Sequence, residues 1–266
     1  MSCSTVRLYS QDLFEDMIDA HVPYKKLYVA PRGSDHAAGS TLWGDGPSKH
    51  LLFSSSEPMK NEDTGFHHAF DTRRGIQVVQ FDATESGDAA ALSPDGTTLA
   101  LFTCGKDNTH PVRLYDVCRK LKEAYQTEEL EKFQVRPHAG SNQELGDSEE
   151  VNQASFSPDG RLLAVARNDN ALHVYDMRAL SRGPLCRFEH HDSDAVGGRV
   201  FGIVDAKWIQ GRDRIGIVSG GNDGGSLVQW IWSNQSATDC LIRLRTVVGA
   251  IFGKHERGPR CGHRED

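Results

Sequence analysis

One stretch of the sequence, residues 151–178, constrains the fold most strongly, because its pattern recurs along the chain. An alternating segment ends at Phe156 and leads into a Ser-Pro-Asp-Gly turn at 157–160. In such a turn Pro presets φ, Asp can hydrogen-bond its own backbone and Gly tolerates positive φ. Two further apolar runs, at 162–166 and 172–176, complete the unit. The stretch therefore predicts three short strands in an antiparallel meander.

The same unit occurs at residues 89–116 and, in a more divergent form, at 204–232. The upstream copy repeats the Ser-Pro-Asp-Gly turn, and its third strand ends in Tyr115, the counterpart of Tyr175, followed by Asp. Either of two residues can take this position in the downstream copy: Trp230 or Trp232. A repeated four-stranded unit whose third strand closes on an aromatic residue and Asp is typical of a β-propeller blade.

This unit resembles the WD40-repeat family over about residues 89–248. The resemblance implies an all-β fold, a WD40-like β-propeller with about four recognisable blades and a partial N-terminal blade at residues 5–9. So few blades leave an incomplete ring with two exposed edges. Two alternatives stay open: the chain is a truncated version of a longer propeller, or residues 246–252 pair beside residues 5–9 and clasp the ring.

WD40 blades are often braced by hydrogen bonds among a His, a Ser or Thr, a turn Asp and the third-strand Trp. The resemblance maps this set best onto the last copy: His190 or His191, Ser219, Asp223 and Trp230. The upstream copy offers Thr103, Asp107 and Tyr115, whereas the 151–178 copy has Ala166 in the hydroxyl position. These departures imply blades held mainly by strand packing.

The N-terminal third repeats the unit less clearly. Strands of a divergent blade are expected at three places: 51–55, 66–71 and 76–82. The apolar spacing at 13–18 fits either a helix or a distorted strand. Residues 31–50 have the composition of an exposed loop, in which Trp43 is expected to pack over the propeller rim.

The segment between the two best copies is interpreted as an insertion covering about residues 117–150. Apolar spacing at 117–133 predicts a short amphipathic helix. The acidic stretch 143–150 fits either a solvated loop or a docking segment for a basic surface. The propeller is expected to cover residues 1–253, and the polar residues 254–266 are expected to form a disordered tail.

The composition argues against several classes of function. A net charge of −7 does not favour nucleic-acid binding, which needs a basic footprint. The six Cys residues are scattered and include no C-x-x-C pair, so neither a zinc framework nor a disulfide scaffold is expected. Without an apolar leader or a long apolar run, the chain is expected to be cytoplasmic or nuclear and not to span a membrane.

No arrangement of residues typical of catalysis or of cofactor binding is visible. His67 and His68 are neighbours in an expected strand, so their side chains point to opposite faces and do not favour one metal site. The Gly-rich run 220–225 joins two strands instead of opening a helix, and therefore does not predict a phosphate site. We expect no catalytic residue, no metal and no cofactor, and hence no enzyme.

The resemblance favours a non-catalytic protein-interaction scaffold or adaptor. Three alternatives stay open: a substrate receptor of a cullin-RING ubiquitin ligase, a propeller-fold hydrolase, and a reader of histone tails. Four residues are predicted to contact the partner, which is a protein or peptide: Asp176, Arg178, Arg74 and Arg113. Arg74 and Arg113 are expected to be exposed, because partners are expected to bind to exposed loops and not to strands.

The triplet Asp176-Met177-Arg178 resembles the Trp-Asp-x-Arg motif with which some WD40 proteins dock on a ubiquitin-ligase adaptor. Tyr175 stands where that motif has Trp. In this interpretation Asp176 accepts backbone N–H bonds, while Arg178 projects from the rim with donors that grip the adaptor. The alternative is that Asp176 is the structural Asp of its blade and Arg178 a solvated surface residue.

Overall fold

A computed structural model describes the following parts of the chain: residues 5–8, 25–59, 64–105, 109–117, 120–121, 124–125, 128–135, 150–189, 202–211, 215–221, 226–231 and 247–248. These parts are mainly β-strand, with single turns of 3₁₀ helix at Gly46–Ser48 and Leu180–Arg182. Within them no helix has the length and apolar character needed to cross a membrane.

Four sheets of four antiparallel strands follow one another along the chain, and we number them blades 1 to 4. A hairpin of β1 (Thr5–Leu8) and β2 (Lys25–Tyr28) precedes them. Blade 1 comprises β3 (His36–Trp43), β4 (Leu51–Pro58), β5 (His67–Asp71) and β6 (Ile76–Gln80). Blade 2 begins with β7 (Ser86–Leu92), β8 (Thr98–Cys104) and β9 (Pro111–Asp116).

The short hairpin of β10 (Lys120–Leu121) and β11 (Ala124–Tyr125) then precedes the fourth strand of blade 2, β12 (Glu128–Gln134). Blade 3 comprises β13 (Val151–Phe156), β14 (Leu162–Arg167), β15 (Ala171–Asp176) and β16 (Cys186–Glu189). Blade 4 comprises β17 (Ile203–Gln210), β18 (Ile215–Gly221), β19 (Ser226–Ile231) and β20 (Val247–Val248).

The blades pack face to face, and their first strands lie side by side. β3 contacts β7, β7 contacts β13, and β13 contacts β17. A layer of buried apolar side chains separates each blade from the next, with Phe53 and Leu101 between blades 1 and 2, and Val112 and Leu163 between blades 2 and 3. Removing these layers from water supplies the main free energy of folding.

The two Ser-Pro-Asp-Gly sequences form turns of the same geometry. In the turn at 157–160, Ser157 Oγ donates to Asp159 Oδ1 at 2.6 Å and accepts from Leu162 N at 2.9 Å. Gly160 N donates to Ser157 O at 2.8 Å, and its φ is 71°. The turn at 93–96 repeats these three bonds at 2.5, 2.9 and 2.8 Å, with the same φ at its Gly. A side chain would be strained at this φ, so Gly is required.

The sequence correctly predicts an all-β fold of about four blades with a partial N-terminal blade. The copies at 89–116, 151–178 and 204–232 are blades 2, 3 and 4. The strands expected at 51–55, 66–71 and 76–82 are β4, β5 and β6. In the two apolar runs of blade 3, Val165 and Leu172 are fully buried, whereas Leu162 is only partly buried.

The long loop expected at 31–50 is wrong, because β3 occupies 36–43 as the first strand of blade 1. A bulge between Ala38 and Thr41 interrupts its pairing with β4. This bulge and the many small polar residues obscure the alternation that marks a strand in the sequence. Pairing with the buried strand β4 therefore decides the structure of this segment, against its local preference.

The amphipathic helix expected at 117–133 is also wrong. The described residues of this segment form the β10–β11 hairpin and β12, which pairs with β9 as the outer strand of blade 2. A bulge between Glu129 and Glu131 shifts the register of β12, so its apolar residues do not follow a period of two. The many charges of this strand suit an outer edge, where they discourage pairing with other chains.

The hairpin β1–β2 is the partial N-terminal blade, with Thr5 opposite Tyr28. Of the two alternatives for the ring, the clasp of residues 246–252 beside residues 5–9 is not seen in the described residues, where β20 pairs with β19 and β1 pairs with β2. The strands that the structure describes form no closed ring. Three segments with sequence-based predictions lie outside the described residues: 13–18, 143–149 and 254–266.

The blade cores predict a clear difference between two Leu residues. We expect Leu172→Ala, which truncates a fully buried side chain between blades 3 and 4, to lower the free energy of unfolding by about 2–5 kcal/mol. The matched change Leu130→Ala, at a residue of β12 that is 52% exposed, should cost less than about 1 kcal/mol. Urea denaturation of both variants measures this difference, and equal losses would contradict the assigned core.

Candidate partner-binding surface

Most of the residues predicted to contact partners lie at one end of the blades. Because neighbouring strands run in opposite directions, the turns that follow the first and third strands of every blade lie at the same end. We call this end the turn face. Its described turns are 44–50, 72–75, 93–97, 157–161 and 177–185. Arg74 and Arg178 lie in these turns and Asp176 borders one, whereas Arg113 lies within β9.

The turns after the first strands contact one another from blade to blade. A Cβ added to Gly96 would clash with Asp45 O and lie 3.1 Å from Pro47 Cδ. A Cβ added to Gly160 would lie 3.7 Å from Pro94 Cδ. The turns of blades 1 and 2 are therefore closely packed, and the turn of blade 3 lies in ordinary van der Waals contact with that of blade 2. A preorganised surface of this kind lowers the entropic cost of binding a partner.

Asp176 and Arg178 form a compact unit at the end of β15. Asp176 Oδ1 accepts from the backbone N and from Nε of Arg178, both at 2.9 Å, and Oδ2 accepts from Nη2 at 2.6 Å. The Arg178 side chain is nevertheless 75% exposed. The hydrogen bond from its guanidinium lowers the pKa of Asp176 below the usual value. Asp176 thus accepts a backbone N–H as expected, and it also fixes the direction of the Arg178 side chain.

Blade 1 contains a second aromatic-Asp-x-Arg sequence, Phe70-Asp71-Thr72-Arg73, at the same place in its third strand. Asp71 Oδ1 accepts from the backbone N of Arg73 at 2.9 Å and from the backbone N of Arg74 at 3.1 Å. Both Arg side chains are exposed. Arg74 was predicted from the sequence to contact a partner and Arg73 was not, although the spacing of Arg73 from Asp71 matches that between Asp176 and Arg178.

Arg113 is not an exposed residue, so that expectation is wrong. It lies in β9 with 7% of its surface exposed. Its guanidinium donates to Glu85 Oε1 at 2.7 Å and to Thr103 Oγ1 at 3.3 Å, and Glu129 lies 3.6 Å away. Burial raises the pKa of Glu85, but the hydrogen bond and the charge of Arg113, together with backbone hydrogen bonds, outweigh this effect and lower that pKa. A direct partner contact by Arg113 remains an untested prediction.

His67 links blade 1 to the same network. Its Nδ1 lies 2.9 Å from Ser55 Oγ, and its Nε2 lies 2.9 Å from the backbone oxygen of Glu85, at the start of blade 2. Burial lowers the pKa of His67 to about 4, so the ring is neutral near pH 7. His68, on the opposite face of β5, packs between the rings of Phe66 and Phe70. The part of the chain that the structure describes contains no group of side chains suited to hold a metal ion.

In blade 2, the described hydrogen bonds of Thr103 and Tyr115 differ from those of the expected brace. Thr103 bonds Arg113 and the backbone oxygen of Pro111, and Tyr115 donates to Asp82 Oδ1 at 2.6 Å. Four residues named for the brace lie outside the described residues: Asp107, His190, His191 and Asp223. Among the described residues, Tyr115 is therefore linked to a residue that follows blade 1, whereas Thr103 is linked to Arg113 within blade 2.

Trp43 does not pack over the rim as expected. It ends β3 at the turn face, and 55% of its surface is exposed. Its pairing partner Leu52 is fully buried on the side of blade 1 that faces the β1–β2 hairpin. Trp43 lies on this same side, because directly opposite residues of an antiparallel pair point to one face. The short hairpin does not cover it, which adds an apolar side chain to the turn face.

Two comparisons with known proteins identify the class. The structure is similar to the solved structure titled "Structure of Dos1 propeller", with a TM-score of 0.60 and 16% sequence identity over 85% of this chain and 51% of that chain. The chain therefore spans about half the length of that propeller. The family described as "WD domain, G-beta repeat" matches residues 141–176, the stretch that includes blade 3 except its last strand. No curated protein matches.

At this low identity the structural similarity shows the fold alone, which is a β-propeller. The repeat match adds the kind of blade from which it is built. The chain therefore has the fold of a β-propeller, and its residues 141–176 match the WD40 repeat, as the resemblance of its repeats implies.

The burial of Arg113 predicts a loss of stability instead of a simple binding defect. Arg113→Ala leaves the partly buried Glu85 carboxylate without its cation, and we expect the free energy of unfolding to fall by about 2–4 kcal/mol. The double variant Arg113→Ala/Glu85→Ala should lose less than the sum of the single variants. Chemical denaturation measures all three, with the exposed Arg161→Ala as the control. A loss of no more than about 0.5 kcal/mol in Arg113→Ala would show that the ion pair is unimportant.

The low pKa of His67 predicts that stability falls in mild acid. The unfolded chain binds a proton at this residue below about pH 6.5, whereas the folded chain does not until about pH 4. The free energy of unfolding should therefore be lower by up to about 3 kcal/mol at pH 4 than at pH 7 on account of His67. Denaturation curves at several pH values should show a weaker pH dependence in His67→Gln. An unchanged dependence would exclude His67 as its source.

Proposed function

We propose that the chain is a non-catalytic protein-interaction scaffold or adaptor that binds partner proteins through the turn face, in the cytoplasm or the nucleus. WD40 propellers generally mediate protein–protein interactions, and the repeat match supports this role. The observation that carries the proposal is the Asp176–Arg178 pair. It presents an Arg side chain that is 75% exposed and whose guanidinium is held in one direction by two hydrogen bonds to Asp176.

The physical advantage of this pair is that binding freezes few additional rotamers. An exposed Arg normally loses much side-chain entropy when a partner binds it. Here the carboxylate has already limited that freedom, and the guanidinium edge that does not face Asp176 can reach carbonyl or carboxylate acceptors. Arg is also among the residues that most often dominate protein interfaces.

We further propose that the partner is the adaptor of a cullin-RING ubiquitin ligase, for which the chain would be a substrate receptor. Two blades carry the aromatic-Asp-x-Arg sequence at the end of the third strand, and in both the Asp accepts a backbone N–H of the following turn. Tyr175 and Phe70 occupy the aromatic position and are buried. Their place in the core leaves Arg73 and Arg178 as the exposed members of the two motifs.

The test is a pull-down of ligase components with the tagged chain. We expect Arg178→Ala to reduce the recovered adaptor about tenfold or more, while Arg161→Ala, another exposed Arg of the turn face, reduces it by less than about twofold. Both variants should unfold at nearly the parent denaturant concentration, because both side chains are exposed. If the parent chain recovers other proteins but no ligase adaptor, and Arg178→Ala recovers none of them, the scaffold role is supported and binding to the ligase adaptor is refuted. Equal recovery from both variants would refute the role of Arg178.

A further inference from the structure

The β1–β2 hairpin has two sides of opposite character. Its inner side contributes buried apolar residues that pack on Leu52 and Phe70 of blade 1. The inner side carries Val6, Leu8 and Leu27, of which Val6 is partly buried, and Val29 follows β2. Lys25, opposite Leu8, also lies on this side and donates from Nζ to Arg73 O at 2.6 Å. Because strand side chains alternate, the remaining residues face away from blade 1. These are Thr5, Arg7, Lys26 and Tyr28.

This outer side carries three cations close together. Arg7 lies directly opposite Lys26 in the hairpin, and both are exposed. The exposed Arg32 follows β2 and places its guanidinium carbon 4.2 Å from the centre of the Tyr28 ring. We call these four residues, Arg7, Lys26, Tyr28 and Arg32, the basic side of the hairpin. Its charge is opposite in sign to the net charge of −7 of the whole chain.

The basic side has no counter-charge within the described structure. None of the ion pairs there includes Arg7, Lys26 or Arg32. Several Arg and Lys residues of the described blades face a carboxylate, as Arg178 faces Asp176 and Lys207 faces Asp205. Within the described residues, the hairpin is therefore a place where no carboxylate is paired with these three cations.

Two physical costs follow from this arrangement. Like charges directly opposite in a β-ladder repel each other, so the Arg7–Lys26 pair weakens a hairpin of only four paired positions. Packing an apolar sheet on the basic side would in addition remove three cations from water without compensation. The apolar layers between the blades avoid both costs. A partner that brings carboxylates would remove both.

We propose that the basic side of the β1–β2 hairpin binds an acidic peptide segment of a partner protein. Side chains two residues apart on a strand are separated by about 6.8 Å, which is also the spacing of alternate carboxylates on an extended peptide. The Lys26 and Tyr28 positions therefore match two successive acidic residues that face the hairpin. Arg7 and Arg32 offer the planar guanidinium groups that hold carboxylates by paired hydrogen bonds.

The same observations disfavour a nucleic acid. Arg32 already covers the Tyr28 ring, which a base would need for stacking. Three cations also release few counterions, and the negative charge of the rest of the chain repels a long polyanion. A short acidic peptide needs neither a stacking platform nor an extended basic groove.

The experiment uses the full chain and a fluorescent synthetic peptide of alternating Glu and Ser, with a peptide of alternating Gln and Ser as the neutral control. Fluorescence anisotropy at low salt measures binding. We expect Lys26→Glu to weaken binding of the acidic peptide about tenfold or more. Lys207→Glu makes the same charge change on an exposed strand position of blade 4 and should weaken binding by less than about twofold.

A second readout separates binding from damage to the fold. Lys26→Glu places a carboxylate opposite Arg7 and replaces repulsion by attraction, so the melting temperature should stay the same or rise while binding is lost. Three results with the peptides would overturn the proposal: no binding of the acidic peptide, equal binding of the neutral peptide, or equal effects of Lys26→Glu and Lys207→Glu. A single-stranded oligonucleotide or an anionic phosphatidylserine vesicle that bound through Lys26 more tightly than the acidic peptide would also overturn it. None of these outcomes bears on Arg178, which lies on another surface.

Discussion

The propeller depends on one repeated interaction, in which the third-strand aromatic residue of a blade packs on the end of the preceding blade. The Tyr115 ring lies 4.8 Å from that of Phe81, which follows the last strand of blade 1. The Tyr175 ring lies 5.5 Å from that of Phe133 in the outer strand of blade 2. Burial raises the pKa of Tyr175 to about 12, so its hydroxyl is neutral within the core. Each contact ties a strand to a blade that is distant in sequence, and therefore couples the blades.

Polar contacts divide the molecule into two ends with different properties. At the end opposite the turn face, Glu85 connects His67 of blade 1 with Arg113 of blade 2, so hydrogen bonds there join blades. At the turn face, Asp71 and Asp176 bond only within their own turns. Side chains in those turns can therefore serve recognition without weakening the links between blades, which is the usual division between a scaffold and its loops.

The side chains of the β1–β2 hairpin alternate between a buried face and an exposed face. Leu27 and Tyr28 are neighbours in β2, yet Leu27 is buried against blade 1 and Tyr28 lies 36% exposed beneath Arg32. A strand inside a stack of blades must be apolar on both faces. The hairpin meets this requirement on one face only, so the chain changes there from a packed interior to a charged surface.

The sequence alone determined the local chemistry of the fold. Ser-Pro-Asp-Gly specifies a turn through dihedral preference and short-range hydrogen bonds, and Asp176 caps the turn after its strand by the same kind of short-range bond. Both are therefore readable from neighbouring residues. The turn-face residues Asp176, Arg178 and Arg74 could be named for this reason. Only the tertiary structure decided what depends on distant partners: the pairing that makes β3 a strand, the burial of Arg113 against Glu85, and the exposure of Trp43 beyond a hairpin too short to cover it.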